Sequence, residues 1–382
     1  MKRLYFDTAA TTAMGERPLE VYREVAQKYI GNPSSLHKEG REAAKKLAEE
    51  RSTTARLLKV NEKQLFYTSG ATESNAIVLT SLLWKRNPGR ILLSSLEHSS
   101  ITGFIPLLER SGFEVITIKA PGGYLDFEVL EKELTEKTQL VCVPLVSNLF
   151  GSVQDLKRVT KLVRECSLQA HIHCDAVQAL GKIDFNLTEL GVDSASFSGH
   201  KFRGPRGIGL LYLQSGSLQV ASSGGGQEGG IRGGTESLPS IAALNVALEE
   251  SLNNLDGKLA RGRELRSFFE EALQGCSAIE VLSSSDKAHT PFIITISVKG
   301  FMGEVFSRIL WDRGFCLSSG SACSSNSPKT NQTLFMNASY TPSQAAGSLR
   351  ISFDCDTSEE ELLSLATALK EESGRLNLEP RL

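Results

Sequence analysis

SASFSGHKFRGPRGIGLLYL, residues 194–213, contains two short apolar runs separated by a Gly/Pro turn, with Lys201 placed where the first run ends. Such runs bounded by turn residues read as strands. The same type of segment recurs at 64–68, 90–95, 113–118, 139–146 and 170–174, and helical patterns lie between most of them. Short apolar strands alternating with helices predict an α/β fold. They imply a mostly parallel sheet covered on both faces, with its ligand site beyond the carboxyl ends of the strands. Lys201 and Asp175 both fall near such ends.

A lysine after a strand is ordinarily a solvated loop residue, and an aspartate before a helix is ordinarily an N-cap. Together they match what pyridoxal phosphate requires. That coenzyme needs a lysine for a Schiff base and a carboxylate to keep its pyridine nitrogen protonated. A third segment, Thr68-Ser69-Gly70-Ala71-Thr72-Glu73-Ser74-Asn75, follows one predicted strand and opens a helical run. A glycine turn leading into a helix start offers unpaired backbone N–H groups to a phosphate, or forms a simple cap. Glu97-His98-Ser99-Ser100 follows another strand, and His98 there could stack on a planar ring or cap the next helix.

With 382 residues, 40% of them hydrophobic, the chain can bury a large core and is expected to divide in two. Its formal charge is −2 and its lysines and arginines are dispersed, which argues against nucleic acid as the main partner. No apolar run approaches the roughly 18 to 20 residues that span a bilayer. The opening MKRLYFDTAATT reads as a short strand and a turn without a secretion signal, so a cytoplasmic location is expected.

Seven cysteines at irregular spacing, with no CxxC pair, make neither a disulfide framework nor a zinc ribbon. Most sit in apolar runs, where a thiol packs as a small core residue. Cys323 is the exception, because its neighbours in LSSGSACSSN are small and polar and it should be accessible. Beyond a long helical region at 237–275, strands are expected near 278–282, 291–298 and 348–353, with helices near 303–313 and 358–375. Residues 324–347 show no clear periodicity and read as a mobile loop with Cys323 at its base.

Weaker signals carry less. GGGQEG at 224–229 satisfies GxGxxG by letter but leads into GIRGGTESLP rather than a helix, which disfavours a dinucleotide site. His171 and His173 alternate onto one strand face; without a nearby third ligand they read as packing or site support rather than a metal pair.

The segments YFDTAATT, GNPSSLH, FYTSGATESN, EHSS, HCDAVQALGKI, SFSGHKFRGPRGIG, GGGQEGGIRGGTES, SSGSACSS and SLRIS occur in register nearly end to end. In this the chain resembles the cysteine desulfurases of the NifS/IscS type, which are fold-type I pyridoxal 5'-phosphate enzymes. The resemblance implies a large coenzyme-binding domain at 16–255. A smaller α+β domain would be formed by 1–15 with 256–382 and carry the cysteine loop at about 318–347. It implies that Lys201 forms the Schiff base and moves protons, that Asp175 pairs with the pyridine nitrogen and Gln178 with the phenolic oxygen, and that His98 stacks on the ring. Thr72, Ser198 and His200 would hold the phosphate, with Thr235 reaching it from the second subunit of a homodimer. Arg350 would grip the substrate carboxylate, and Asn32 and Asn148 would fix substrate and coenzyme. Cys323 would take sulfur from L-cysteine as a persulfide, releasing L-alanine. It would then pass the sulfur to an acceptor protein such as an iron-sulfur scaffold or a sulfur carrier for tRNA thiolation.

Three departures from the family pattern stand out. Leu149 replaces a carboxylate in Ser147-Asn148-Leu149-Phe150-Gly151, Asp354-Cys355 follows Arg350-Ile351-Ser352-Phe353 where Gly-Arg is usual, and Gly199 replaces alanine before His200. Selenocysteine lyase, another β-lyase or aminotransferase on the same fold, and a non-catalytic binding subunit remain as alternative readings.

Overall fold

The computed structural model describes residues 3–221, 224–283, 288–320 and 328–377. Its strands in chain order are β1 (Leu4–Tyr5), β2 (Leu65–Thr68), β3 (Arg90–Ser94), β4 (Glu114–Ile118), β5 (Thr138–Cys142), β6 (His171–Asp175), β7 (Ser194–Ser198), β8 (Gly209–Leu213), β9 (Ile279–Val281), β10 (Ile293–Val298), β11 (Phe315–Cys316) and β12 (Ser348–Ser352). Seven form one sheet in the order β2-β8-β7-β6-β5-β3-β4. β3 to β7 pair in parallel, while β8 runs against both of its neighbours. The result is the expected mostly parallel α/β arrangement, reversed at β8 by the tight turn after Lys201.

Alternation along the strands explains the layering. Leu92, Val141, Ile172, Cys174, Ala195 and Phe197 face one buried cluster with the helix Leu238–Leu252, whereas Ile91, Leu93, Leu140 and Leu211 face another with Val78 and Leu79. Full burial of each such side chain contributes about 1.5–3 kcal/mol. At β6 and β7 the second face turns polar: His171, His173 and Asp175 alternate with Ile172 and Cys174, and Ser194, Ser196 and Ser198 with Ala195 and Phe197. The helix Ala71–Ser81 packs over these strands and brings Ser74 and Asn75 into the polar layer.

The region expected to be helical at 237–275 is two helices, Leu238–Leu252 and Leu255–Leu273, broken where Asn254 takes φ 50°. The second packs on the antiparallel sheet β12-β10-β9 together with Gly303–Asp312 and Glu359–Asn377. Phe6 enters this second core, and β1 pairs in parallel with β11.

One expectation needs correction. Residues 328–346 are not a loop: they form the helices Pro328–Asn337 and Pro342–Ala346. The second is started by Thr341 and Gln344 in a reciprocal capping box with proline in its first turn. Phe335, Ala338 and Ala345 are buried against Leu96, Ala120, Leu149, Phe150 and Leu282, with the Phe150 and Phe335 rings edge to face at 5.3 Å. The apolar partners are remote in sequence, so the local pattern did not reveal them. Leu149, one of the departures noted above, is thus a core residue of this contact.

Candidate active site

The carboxyl ends of β6 and β7 and the turns after β2 and β3 converge on a cavity of about 430 Å³. Thr72, His98, Asn148, Asp175, Gln178, Ser198, His200, Lys201 and Arg350 all line it. These residues come from segments spread over most of the chain. Pro144, Val146 and Val177 provide an apolar wall.

Lys201 follows β7 in a single 3₁₀ turn, and its Nζ donates to the carbonyls of Ala9 (2.7 Å) and Ala10 (2.8 Å). Gln178 is buried; its Nε2 donates to the same Ala9 carbonyl, and its Oε1 accepts from Lys182 Nζ. The N-terminal segment is therefore one wall of the site. Asp175, at the end of β6, accepts from the backbone N–H of Val177 and from Asn75 Nδ2. His98 caps the helix Ser99–Thr102, its Nδ1 accepting from the Ser100 N–H.

Arg350 is only 1% exposed. Its Nη2 pairs with Asp7 Oδ1 at 2.7 Å, its Nη1 donates to the Asn148 carbonyl, and its buried Nε has no protein partner among the described residues. The guanidinium, which lines the cavity, thus keeps one donor unmatched. Glu97 is also buried, and burial, with the nearby charge of Asp175, raises its pKa well above the usual carboxylate range.

Electrostatics around the cavity favour an anion. Burial first, then Lys201 and Arg350, lowers Lys182 from the ordinary 10.5 to about 7. Burial, then Lys201, Arg206 and Lys182, lowers His200 to about 4. Neither Lys182 nor Arg206 makes an ion pair among the described residues. In the same cavity lining as Lys201 and Arg206, the helix Ala71–Ser81 begins at Gly70 with no side-chain cap, leaving N–H groups of its first turn for a ligand. Gly70 takes φ 153° at this turn, a backbone conformation that residues with a side chain rarely adopt. The residues present therefore fit pyridoxal phosphate: an amine, a buried carboxylate, an uncapped helix start and uncompensated positive charge share one cavity.

Asn32 and Thr235 lie outside the cavity lining and touch one another instead, Asn32 Nδ2 donating to Thr235 Oγ1 at 3.2 Å. Cys323 lies outside the described residues. Several residues that shape the site were not singled out from sequence, namely Asp7, Asn75, Lys182 and Arg206. Each lay in a quoted or neighbouring segment, but its importance comes from burial or from partners far along the chain. His171 and His173, left between packing and support, both hydrogen-bond to Ser194 Oγ at 2.7 Å. In the GxGxxG-like segment, Glu228 is buried and accepts from Arg51 and from the Tyr67 N–H.

Residues 4–365 match the family described as Aminotransferase class-V. A "NifS/IcsS protein homolog" of Lactobacillus delbrueckii subsp. bulgaricus is 37% identical over 96% of each chain. "Cysteine desulfurase IscS" of Dictyoglomus turgidum is 32% identical over 95% of this chain and 92% of its own. Among solved structures, a "NifS-like protein" superposes with a TM-score of 0.90 at 30% identity, covering 98% of this chain and 100% of its own. "SspA in complex with cysteine" does so with a TM-score of 0.79 at 28% identity, over 91% of this chain and 98% of its own.

Proposed function

We propose that this chain, which belongs to the class-V aminotransferase family and to its NifS/IscS branch, is a cysteine desulfurase that takes sulfur from L-cysteine and releases L-alanine. The carrying observation is the convergence of Lys201, Asp175, His98, Gln178 and Arg350 on one cavity whose uncompensated charge is positive. Bound there, pyridoxal phosphate supplies an electron sink that makes the α-hydrogen of an attached amino acid acidic.

The protein's own groups provide the rest. Lys201 would hold the coenzyme and carry protons. Asp175, fixed by Val177 and Asn75, would keep the pyridine nitrogen protonated, and Gln178 would serve the phenolic oxygen. Thr72, Ser198, His200 and the helix start at Ala71 would hold the phosphate, and Arg350, which lines the same cavity, would receive the substrate carboxylate. The thiolate of Cys323 attacks the substrate sulfur. An S–S bond forms as the Cβ–S bond breaks, the electron pair of that bond stays with the β-carbon, and protonation there yields L-alanine. The persulfide is then handed to an acceptor protein.

Asn32 and Thr235, paired outside their own chain's cavity, fit a homodimer in which each chain offers them to the other's site. A division into 16–255 and 1–15 with 256–382 is supported by the separate core in which Phe6 packs with residues of 259–369. A cytoplasmic location is supported by the free state of six cysteines among the described residues. No helix among those residues is long and apolar enough to cross a membrane.

The test is alanine release from L-cysteine with a reductant, for the native chain and Cys323→Ala, with the visible spectrum of both recorded. Native turnover that disappears in the variant while the coloured coenzyme stays bound is expected. Turnover that survives the loss of Cys323 would sink the desulfurase assignment.

A further inference from the structure

Between the helix Ala71–Ser81 and the polar face of β6 and β7 runs a continuous hydrogen-bonded chain that reaches from the buried histidines to both Asp175 and His98. His171 Nε2 and His173 Nδ1 both meet Ser194 Oγ at 2.7 Å, and His173 Nε2 meets Asn75 Oδ1 at 2.9 Å. Asn75 Nδ2 then divides, donating to Asp175 Oδ2 at 3.3 Å and to Ser100 Oγ at 2.8 Å. Ser100 Oγ in turn lies 2.9 Å from His98 Nδ1.

Chemistry assigns the direction of every link. An amide oxygen only accepts, so His173 donates to Asn75 from Nε2. Burial, with His171 alongside, lowers His173 to about 3, so the ring is neutral and its Nδ1 must accept from the Ser194 hydroxyl. That hydroxyl accepts in turn from His171. At the other end, His98 Nδ1 already accepts from the Ser100 N–H, so it also accepts the Ser100 hydroxyl proton and the ring's own proton resides on Nε2. Every donor therefore points toward the cavity, and hydrogen bonds aligned in this way strengthen one another. Asn75 is fully buried and both its amide hydrogens and its oxygen are engaged, so its orientation has no alternative that keeps the chain intact.

We propose that Asn75 is a positioning residue of the site: one amide, oriented by His173, holds both the Asp175 carboxylate and, through the Ser100 hydroxyl, the tilt of His98. This rests on the coenzyme reading above. The two groups meant for the pyridine nitrogen and the ring face, each also held by a backbone N–H, are then coupled through one side chain.

Asn75→Ala tests it: alanine keeps the helix, and the stability lost by leaving His173 and Asp175 without this partner is read separately from the melting temperature. Coenzyme affinity of the apoprotein, measured by fluorescence titration, should weaken about ten- to hundredfold, the weight of a hydrogen bond to a charged group. The long-wavelength band of the bound coenzyme should shift in position and in its pH dependence. Asn75→Asp, which can still accept from His173 but cannot donate to Asp175, should fail to restore either property. Ser100→Ala should leave the affinity nearer the native value while altering the band through His98. A purely structural role would lower the melting temperature of Asn75→Ala with affinity and spectrum unchanged, and that result would overturn the proposal. A native protein that binds no coenzyme would overturn the coenzyme reading itself and this inference with it, whereas native binding with indifferent Asn75 variants would remove this inference alone.

Discussion

The two edges of the seven-stranded sheet treat charge in opposite ways. At the amino edge each arginine is matched: Arg90 with Glu114 and Glu133, and Arg164 with both oxygens of Asp193 at 2.6 Å. At the carboxyl edge Lys182 and Arg206 form no ion pair among the described residues, and burial first, then the charges of Lys201, Arg206 and Lys182, lowers His200 to about 4. A folded protein keeps such uncompensated charge only where something else compensates it. The contrast therefore separates an edge that holds the sheet together from one that awaits an anionic ligand.

That contrast can be broken most severely at Lys201. Lys201→Ala should remove the covalently held chromophore and reduce alanine release on the order of a thousandfold or more, read by absorbance and turnover together. Next in size, Asp175→Asn keeps the shape but removes the buried charge. Turnover should drop about a hundredfold with the coenzyme still bound; an undiminished rate would mean that the carboxylate does not act on the ring.

Lys182 gives a pH signature. In the folded apoprotein it titrates near 7 rather than 10.5, so between those values the unfolded chain binds the extra proton. Stability of the apoprotein should thus rise as pH increases from about 7 to about 10.5, with the penalty fully present below 7. Lys182→Met should flatten that slope and stabilise the apoprotein at pH 6 by a few kcal/mol, on the order of its desolvation cost. It should also weaken coenzyme binding about tenfold. An unchanged slope in denaturant titrations at several pH values would count against the buried ammonium. The smallest functional effect belongs to the other edge. Arg164→Ala should cost about 1–3 kcal/mol in unfolding free energy, yet leave coenzyme affinity as it was.

Most of the large sheet was legible because its strands are short apolar runs ended by Gly, Pro or polar clusters, and the observed strand at 194–198 coincides with the expected one. The 139–146 run stops at Cys142, just before Val143-Pro144. The break at Asn254 was hidden because both flanking helices keep a helical pattern across it. Pro328–Asn337 was hidden for a different reason, since its buried aromatic, Phe335, packs on the remote Phe150 as well as on Tyr340 just beyond the helix. The site shows the same division. Lys201, Asp175 and His98 advertise themselves at strand ends, whereas Asn75 meets partners 25, 98 and 100 positions away and looks like an ordinary helix residue until the fold is known. Lys182 is conspicuous only by being buried.

The amino-terminal segment carries a consequence for biosynthesis. Phe6 exchanges backbone hydrogen bonds with Cys316 and Ser352, Asp7 pairs with Arg350, and the carbonyls of Ala9 and Ala10 receive the Lys201 amine. Residues 6–10 therefore cannot settle until residues 316–352 have been translated. A nascent fragment ending before residue 350 should lack the wall that this segment gives the cavity and fail to hold pyridoxal phosphate.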